Sequence, residues 1–157
     1  MIVKAIIDED FVNYKKPSMF IAFPRCDFKC EKECGIACCQ NSDLAQSPDI
    51  EIDCQNLVNR FLKNPISEAV VCGGLETFDT FDDLISFIRA FREKSDAEIV
   101  VFTGFSRGEV DDKIQVLSSF KNIIVKFGRY IPGQKPHYDE VLGIELASDN
   151  QYAERIS

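Results

Sequence analysis

The sequence has no tryptophan, one histidine and few basic residues, and these absences exclude several classes of protein. Its 157 residues include 18 lysines and arginines against 26 aspartates and glutamates, which gives a formal net charge of -8. Proteins that bind the phosphate backbone of nucleic acids depend on clustered basic side chains. We therefore expect no nucleic-acid partner.

Long apolar runs are also missing from the sequence. A membrane-spanning helix needs about 20 consecutive apolar residues, and the N-terminal MIVKAIIDED has only a short apolar stretch, too short for the core of a signal peptide. We expect a cytoplasmic protein with no membrane partner. The length suits a single domain over residues 1–157, with 45% hydrophobic residues available for its core.

Strand patterns alternate with amphipathic helix patterns along the chain. The strand patterns are IVKAII, SMFIAF, EAVVCGG, EIVVFTG and NIIVKFG, and the helix patterns are SPDIEIDCQNLVNRFLKNP, TFDDLISFIRAFREKS and EVDDKIQVLSSF. Strands that alternate with helices of this length pair in parallel through right-handed crossovers. The sequence therefore predicts an α/β fold of mainly parallel strands, as a three-layer arrangement or a partial barrel.

Four loops follow predicted strands at equivalent positions. They are the cysteine-rich loop after SMFIAF and the segments GGLE, TGFSR and FGRY. Parallel α/β folds bind ligands where loops leave the C-terminal ends of the strands. We expect these four loops to form one site.

Cysteine is the most unusual feature of the composition. Five of the seven cysteines lie in one short loop, namely Cys26, Cys30, Cys34, Cys38 and Cys39. A disulfide framework is not expected in a reducing compartment, and an odd number of cysteines fits it poorly. Clustered thiols in the cytoplasm more often bind a metal, so the loop predicts a metal or cluster site.

Two kinds of metal centre are compatible with this loop. Zinc sites usually combine two separated pairs of ligands, but here there is one cluster, and the single histidine, His137, is far away in the sequence. An iron–sulfur cluster can be held by three thiolates, which leaves one iron open to a substrate. The remaining cysteines, Cys54 and Cys72, are expected to be small residues that pack within a helix and a strand.

The segment CDFKC directly after an early strand, followed later by Cys39 and Asn41, resembles the cluster loop of radical S-adenosylmethionine (SAM) enzymes. The resemblance is specifically to the small activating proteins of anaerobic ribonucleotide reductase. In that family, three cysteines spaced by three and then two residues hold a [4Fe–4S] cluster. Cys26 and Cys30 match the first two positions, whereas EKECGIAC intervenes before the third.

The resemblance implies Cys39 as the third cluster ligand, because Gln40 and Asn41 follow it as in the family. Cys34 and Cys38 remain alternatives. The spacing of four residues along this loop would also suit a buried helical stripe, but the charged Glu31, Lys32 and Glu33 and the intervening glycine argue against one.

Further segments resemble the SAM-binding parts of the same family. Gly73, Gly74 and Glu76 resemble a Gly-Gly-acid-Pro stretch that binds the amino group of SAM, although Leu75 shifts the acid by one position and Thr77 stands in place of proline.

Two other stretches extend the resemblance to most of the chain. FTGF, with Thr103, is similar to a segment near the cofactor, and Asn41 joins the residues implied in binding it. LASDNQYAERI is similar to a C-terminal stretch of the family and matches it at Ser148, Asn150 and Gln151.

The resemblance implies a single-domain partial (βα) barrel and an enzyme that cleaves SAM reductively to a 5′-deoxyadenosyl radical. Its partners would be a glycyl radical enzyme, such as anaerobic ribonucleotide reductase, and a small electron-donor protein. One alternative is a radical SAM enzyme that acts on another peptide or on a metabolite. Another is a non-catalytic zinc or iron–sulfur binding module, which would need only the cysteines.

Overall fold

The computed structural model describes all residues from 1 to 157, and its centre is a six-stranded sheet. The strands are β1 (Ile2–Val3), β2 (Ala5–Asp10), β3 (Ser18–Phe23), β4 (Ile50–Glu51), β5 (Ala69–Gly74), β6 (Glu98–Phe102), β7 (Ile123–Phe127), β8 (His137–Asp139), β9 (Ile144–Leu146) and β10 (Tyr152–Arg155). The helices are α1 (Lys29–Cys34), α2 (Ser42–Gln46), α3 (Cys54–Lys63), α4 (Phe81–Arg92) and α5 (Asp111–Leu117).

The central sheet has the strand order β10-β7-β6-β5-β3-β2. Its four inner strands, β3, β5, β6 and β7, are parallel, whereas the edge strands β2 and β10 are antiparallel to their neighbours. The predicted α/β class with a mainly parallel sheet is therefore confirmed. Two small antiparallel pairs, β1–β4 and β8–β9, lie outside this sheet.

Two predicted elements differ from the structure. The strand predicted over IVKAII is divided at Lys4, because β1 pairs with β4 while β2 pairs with β3. The helix predicted from SPDIEIDCQNL begins only at Cys54, where the carboxylate of Asp53 accepts a hydrogen bond from the backbone N–H of Gln55 at 2.7 Å and caps the first turn.

Helices α3, α4 and α5 all pack on the same face of the sheet. Their apolar side chains join those of the parallel strands in a cluster of 24 buried residues, in which the rings of Phe61 and Phe91 meet edge to face with centroids 4.9 Å apart. Because the helices cover one face only, the three-layer alternative is not formed. Cys72 belongs to this core, as expected.

The opposite face of the sheet has a smaller core of eight buried residues, which includes Tyr14, Leu142 and Leu146 from the segments around β8, β9 and the end of β2. The rest of this face is bordered by the loops at the C-terminal ends of the parallel strands. None of the five helices reaches the length and apolar character that crossing a bilayer requires.

Candidate functional site

A cavity of about 510 Å³ opens at the C-terminal ends of the parallel strands. The loops that follow β3, β5, β6 and β7 all contribute to its lining, as the sequence predicts for a parallel α/β fold. The predicted site residues that line the cavity are Cys26, Cys30, Cys39, Asn41, Gly74, Glu76 and Thr103.

The three cysteines reach the cavity from different parts of one loop. Cys26 follows β3, Cys30 is in the first turn of α1, and Cys39 lies in the irregular segment beyond that helix. The Cys26 sulfur accepts a hydrogen bond from the N–H of Phe28 at 3.3 Å, and the Cys39 sulfur accepts one from the N–H of Asn41 at 3.4 Å. Such bonds stabilise sulfur in its negatively charged form.

Burial acts against ionisation of these thiols. It raises the pKa of Cys26 to about 11, with the carboxylates of Glu76 and Asp79 adding to the effect, and it also raises the pKa of Cys30. A coordinated metal deprotonates a thiol directly because its positive charge compensates the thiolate. The loop is therefore suited to thiols that become thiolates on binding a metal centre.

The other two cysteines of the loop do not line the cavity. The sulfurs of Cys34 and Cys38 lie 3.0 Å apart, and Cys34 is exposed to solvent. Of the three alternatives for the third ligand, Cys39 is thus the one that shares the cavity with Cys26 and Cys30. Its position is fixed by α1, since Glu31 Oε1 accepts a hydrogen bond from the N–H of Cys39 at 3.0 Å.

Asn41 connects the cysteine loop to the end of β5. Its side-chain amide donates a hydrogen bond to the carbonyl oxygen of Gly74 at 2.7 Å. Gly74 has φ +83°, and a Cβ there would lie 2.9 Å from a methyl group of Leu44, so both the backbone conformation and the packing require glycine. Gly73 lies outside the cavity lining, where a Cβ would come within 3.1 Å of the Phe20 ring.

Glu76 is a buried acid, with 8% of its surface exposed. One carboxylate oxygen accepts hydrogen bonds from the Thr103 hydroxyl at 2.8 Å and the Phe78 N–H at 3.1 Å, and the other accepts one from the Gly104 N–H at 2.8 Å. Burial raises its pKa, and these hydrogen bonds oppose the rise. A carboxylate has about four acceptor positions, so one remains for a ligand.

Hydrogen bonds around Glu76 keep this residue in the cavity lining, although Leu75 shifts the acid by one position relative to the Gly-Gly-acid-Pro stretch. The N–H of Glu76 donates a hydrogen bond to the carbonyl oxygen of Arg25 in the cysteine loop, at 2.8 Å. Thr77, which stands in place of the proline of the resembling family, is buried and donates its hydroxyl hydrogen to the carbonyl oxygen of Phe102 at 2.8 Å. Thr103 acts on the site through the hydrogen bond that its hydroxyl donates to Glu76.

Lys126 is a cavity residue that the sequence patterns missed. It lies in β7, is 8% exposed, and donates from Nζ to the carbonyl oxygen of Gly128 at 2.9 Å. Burial lowers its pKa to about 8, although the negative charge of Glu76 opposes the decrease. The sequence feature that could have identified Lys126 as a site residue is that it is the single charged residue in the otherwise apolar strand IIVKF.

Arg129 adds a second positive charge to the cavity lining. Its guanidinium forms two hydrogen bonds with the carboxylate of Glu109, at 3.0 and 2.9 Å, and lies over the ring of Phe105 with 5.2 Å to the centroid. The Arg129 guanidinium is thus already paired with a carboxylate. The Lys126 ammonium has fewer partners within the protein than Arg129 has.

The C-terminal stretch secures the loop after β7. The side-chain amide of Asn150 donates to the carbonyl oxygen of Arg129 at 2.8 Å, and that of Gln151 donates to the carbonyl oxygen of Gly128 at 3.2 Å. The Ser148 hydroxyl donates to the side-chain oxygen of Asn150 at 2.8 Å. Of these three residues, Gln151 alone lines the cavity.

The donor atoms of the site are spread around the cavity. A single metal ion needs ligand atoms that lie close together. The ligand atoms of Cys26, Asp27 and Asp79 lie within 4.8 Å of one another and form such a group. This group contains one of the three cavity cysteines. Cys54, which is half-buried at the start of α3 with its sulfur 3.7 Å from that of Met1, takes no part in the site.

Comparison with known proteins yields no relative. No family model, no curated protein and no solved structure matches this chain.

Proposed function

We propose that the protein is a radical SAM enzyme of the cytoplasm, in which Cys26, Cys30 and Cys39 hold a [4Fe–4S] cluster and the adjoining cavity receives SAM. The observation that carries the proposal is that these three thiols line the same cavity as the buried carboxylate of Glu76 and the buried ammonium of Lys126. Thiols, an acid and a buried base in one cleft are typical of a functional site.

The cavity cysteines fit a cluster better than they fit a single zinc ion. Four thiolate ligands of one zinc ion would surround a common point, whereas these three thiols border a cavity of about 510 Å³ and just one of them belongs to a compact group of donors. A polynuclear cluster uses thiolates that are further apart. Three thiolates leave one iron without a protein ligand.

Cys26, Cys30 and Cys39 would hold the cluster, which in its reduced form would supply one electron for the cleavage of SAM to methionine and a 5′-deoxyadenosyl radical. The protein binds the substrate and positions it for this chemistry. Glu76 accepts a hydrogen bond from the ammonium group of SAM at its free acceptor position, and Thr103 and Gly104 fix the orientation of the carboxylate. A charge-assisted bond of this kind is stronger than a neutral one.

Lys126 binds the carboxylate of the same ligand. SAM carries an ammonium and a carboxylate on one carbon, and the cavity lining has one buried acid and one buried base to receive them. Neither charge is fully paired within the protein, since Lys126 has the Gly128 carbonyl oxygen as its partner and Glu76 has neutral donors. A zwitterionic ligand would compensate both charges in a poorly solvated site.

The apolar part of the lining would limit the access of water to the reaction. Phe20, Phe102, Phe105 and Tyr130 provide aromatic surface beside the polar groups. A reactive carbon radical needs such a wall, because a closed apolar site prevents side reactions.

The fold supports the same proposal. The parallel strands follow one another in chain order across the sheet, and the three crossover helices cover a single face. A partial (βα) barrel would have this arrangement, with the cavity at the C-terminal ends of its parallel strands. The substrate of the enzyme is a glycine of a partner glycyl radical enzyme, resembling anaerobic ribonucleotide reductase, and a small electron-donor protein reduces the cluster. The alternative within this class is a different peptide or a metabolite.

The test is electron paramagnetic resonance of the anaerobically reconstituted and reduced protein, with and without SAM. We expect a spectrum typical of a reduced [4Fe–4S] cluster that changes when SAM is added, because SAM binds the iron that lacks a protein ligand. A cluster spectrum that is insensitive to SAM would contradict the proposal and favour a non-catalytic iron–sulfur module.

The second rival is a zinc-binding module, for which the cysteines alone would suffice. It is distinguished by metal analysis of protein purified without oxygen. A brown protein with bound iron and sulfide supports the cluster, whereas a colourless protein with stoichiometric zinc would replace the proposed function by this rival.

A further inference from the structure

Cys34 and Cys38 are not among the three thiols assigned to the proposed cluster, although they belong to the same loop and the Cys38 thiol is hydrogen-bonded to that of Cys30. Their sulfurs lie 3.0 Å apart, and neither residue lines the cavity. Cys34 is exposed and Cys38 is half-buried, so reagents in solution have access to the pair. Two accessible thiols held this close need an explanation that the cluster does not provide.

We propose that Cys34 and Cys38 form a dithiol that closes reversibly to a disulfide when the protein meets a low-molecular-weight disulfide. A disulfide has an S–S distance of about 2.05 Å, so the two sulfurs need to approach by about 1 Å. This inference does not depend on the cluster, and it goes beyond the proposed function.

The local backbone allows this movement. Cys34 is the last residue of α1, and Gly35 ends the helix with φ +73° in open surroundings, where a Cβ would have no neighbour within 4 Å. Glycine at a helix end of this kind gives the following segment freedom. The closed ring spans only the residues from 34 to 38, so little chain entropy is lost on closure.

The reaction proceeds by two thiol–disulfide exchanges. The Cys34 thiolate attacks one sulfur of the small disulfide, which forms a mixed disulfide and releases one small thiolate. The Cys38 thiolate then attacks the Cys34 sulfur, which closes the internal bond and releases the second small thiolate. The two protons lost by the cysteines end on the two released thiols, and the cysteine pair is oxidised by two electrons as the small disulfide is reduced.

Closure would also affect the neighbouring cluster ligand. The bond ties the end of α1 to the segment that contains Cys39, whose N–H is already held by Glu31 of the same helix. It removes two thiols that otherwise compete for iron. An exposed bond of this kind has a high reduction potential and opens readily in a reducing cell.

The experiment treats the reconstituted protein with oxidised glutathione in the absence of oxygen, alkylates the free thiols and analyses the tryptic peptides by mass spectrometry. Cleavage after Lys32 and Arg60 places the pair on one peptide with Cys39 and Cys54. We expect this peptide to have two unalkylated cysteines and to lack two hydrogens, and dithiothreitol to restore full alkylation.

Single variants identify the two partners. We expect Cys34→Ser and Cys38→Ser each to lose the internal bond and to acquire a glutathione adduct, whereas the control Cys54→Ser retains the bond. A loss of two hydrogens that persists in Cys34→Ser, or a wild-type protein that forms only glutathione adducts, would overturn the proposal.

Iron content provides the second readout. We expect Cys34→Ser and Cys38→Ser to bind as much iron as the wild type. Loss of iron from either variant would assign that thiol to the metal centre and contradict a free dithiol. If no form of the protein binds iron but the internal bond still closes, the proposed function fails and the dithiol remains.

Discussion

The two faces of the central sheet differ in burial and in charge. The face beneath α3, α4 and α5 buries 24 residues in one apolar cluster, whereas the opposite face buries eight and is bordered by a cavity that contains charged side chains. Burial of apolar surface is the main source of folding free energy. We infer that the helix-covered face stabilises the fold and the cavity side performs the chemistry, at some cost in stability.

The largest effect is expected from the cavity cysteines. Cys26→Ala, Cys30→Ala and Cys39→Ala should each abolish stable [4Fe–4S] assembly, because each change removes a ligand and its negative charge. Iron and sulfide content after anaerobic reconstitution measures the effect. Cys72→Ala, on the helix-covered face, and Cys54→Ala are the controls and should keep the cluster. A full cluster in Cys39→Ala would reject it as the third ligand.

A substitution on the helix-covered face should have the opposite effect. Phe87 in α4 is fully buried, and its ring lies against that of Phe91 with centroids 5.7 Å apart. Phe87→Ala should lower the free energy of unfolding by about 3–5 kcal/mol because of lost burial and a residual cavity. Anaerobic urea unfolding followed by circular dichroism measures this change.

The iron content of folded Phe87→Ala should equal that of the wild type. A urea midpoint equal to that of the wild type would contradict the stabilising role of Phe87. A folded variant that binds no iron would show that the two faces of the sheet are not separate in function.

Glu76→Gln tests the polar side of the cavity. SAM affinity should fall by about one to two orders of magnitude, because a charge-assisted hydrogen bond contributes about 1.5–3 kcal/mol. Gln is preferable to Ala because its amide oxygen can still accept the hydrogen bonds from Thr103 and Phe78, whereas Ala would leave the donors of Thr103, Phe78 and Gly104 all without an acceptor. Equilibrium binding of SAM to reconstituted protein is the measurement.

The control for Glu76→Gln is Glu145→Gln, which removes an exposed negative charge from the same cavity lining. Equal losses of affinity in the two variants would mean that the total charge of the cavity matters and that Glu76 makes no specific bond. Equal affinities of the wild type and Glu76→Gln would remove Glu76 from the binding site.

The stability cost of Lys126 is an effect that depends on pH. Burial lowers its pKa to about 8 from the usual 10.5, so the unfolded chain binds more protons than the folded one between these values. Stability from this group therefore rises with pH through this window. Lys126→Met should stabilise the protein below pH 8, and its advantage over the wild type should shrink between pH 8 and 10.5.

Urea unfolding of both proteins at several pH values checks the Lys126 prediction, and the difference between them cancels the titration of other groups. A pH-independent difference would mean that the ammonium is not buried at a cost. Lys126→Met should also weaken SAM binding, which links the stability cost to the proposed ligand.

Much of the fold could be predicted from the sequence because its signals are local. Leu57, Val58 and Phe61 recur at helical spacing, and the run AVVC is apolar on both sides, as an inner parallel strand must be. The alternation of such segments determined the parallel sheet and the edge at which the loops gather. The β8–β9 pair and β10 were missed, since each of these strands is only three or four residues long. In addition, β10 forms through pairing with β7, which is distant in the sequence.

The site divides in the same way. The sequence by itself determined that thiols, glycines and an acid follow the strands, because these are properties of residue type and order. Only the tertiary structure decided that Cys39 lines the cavity while Cys34 and Cys38 do not, and that Lys126 lines it from within a strand. The physical reason is that orientation and burial depend on contacts between segments distant in the chain, about which local periodicity contains no information.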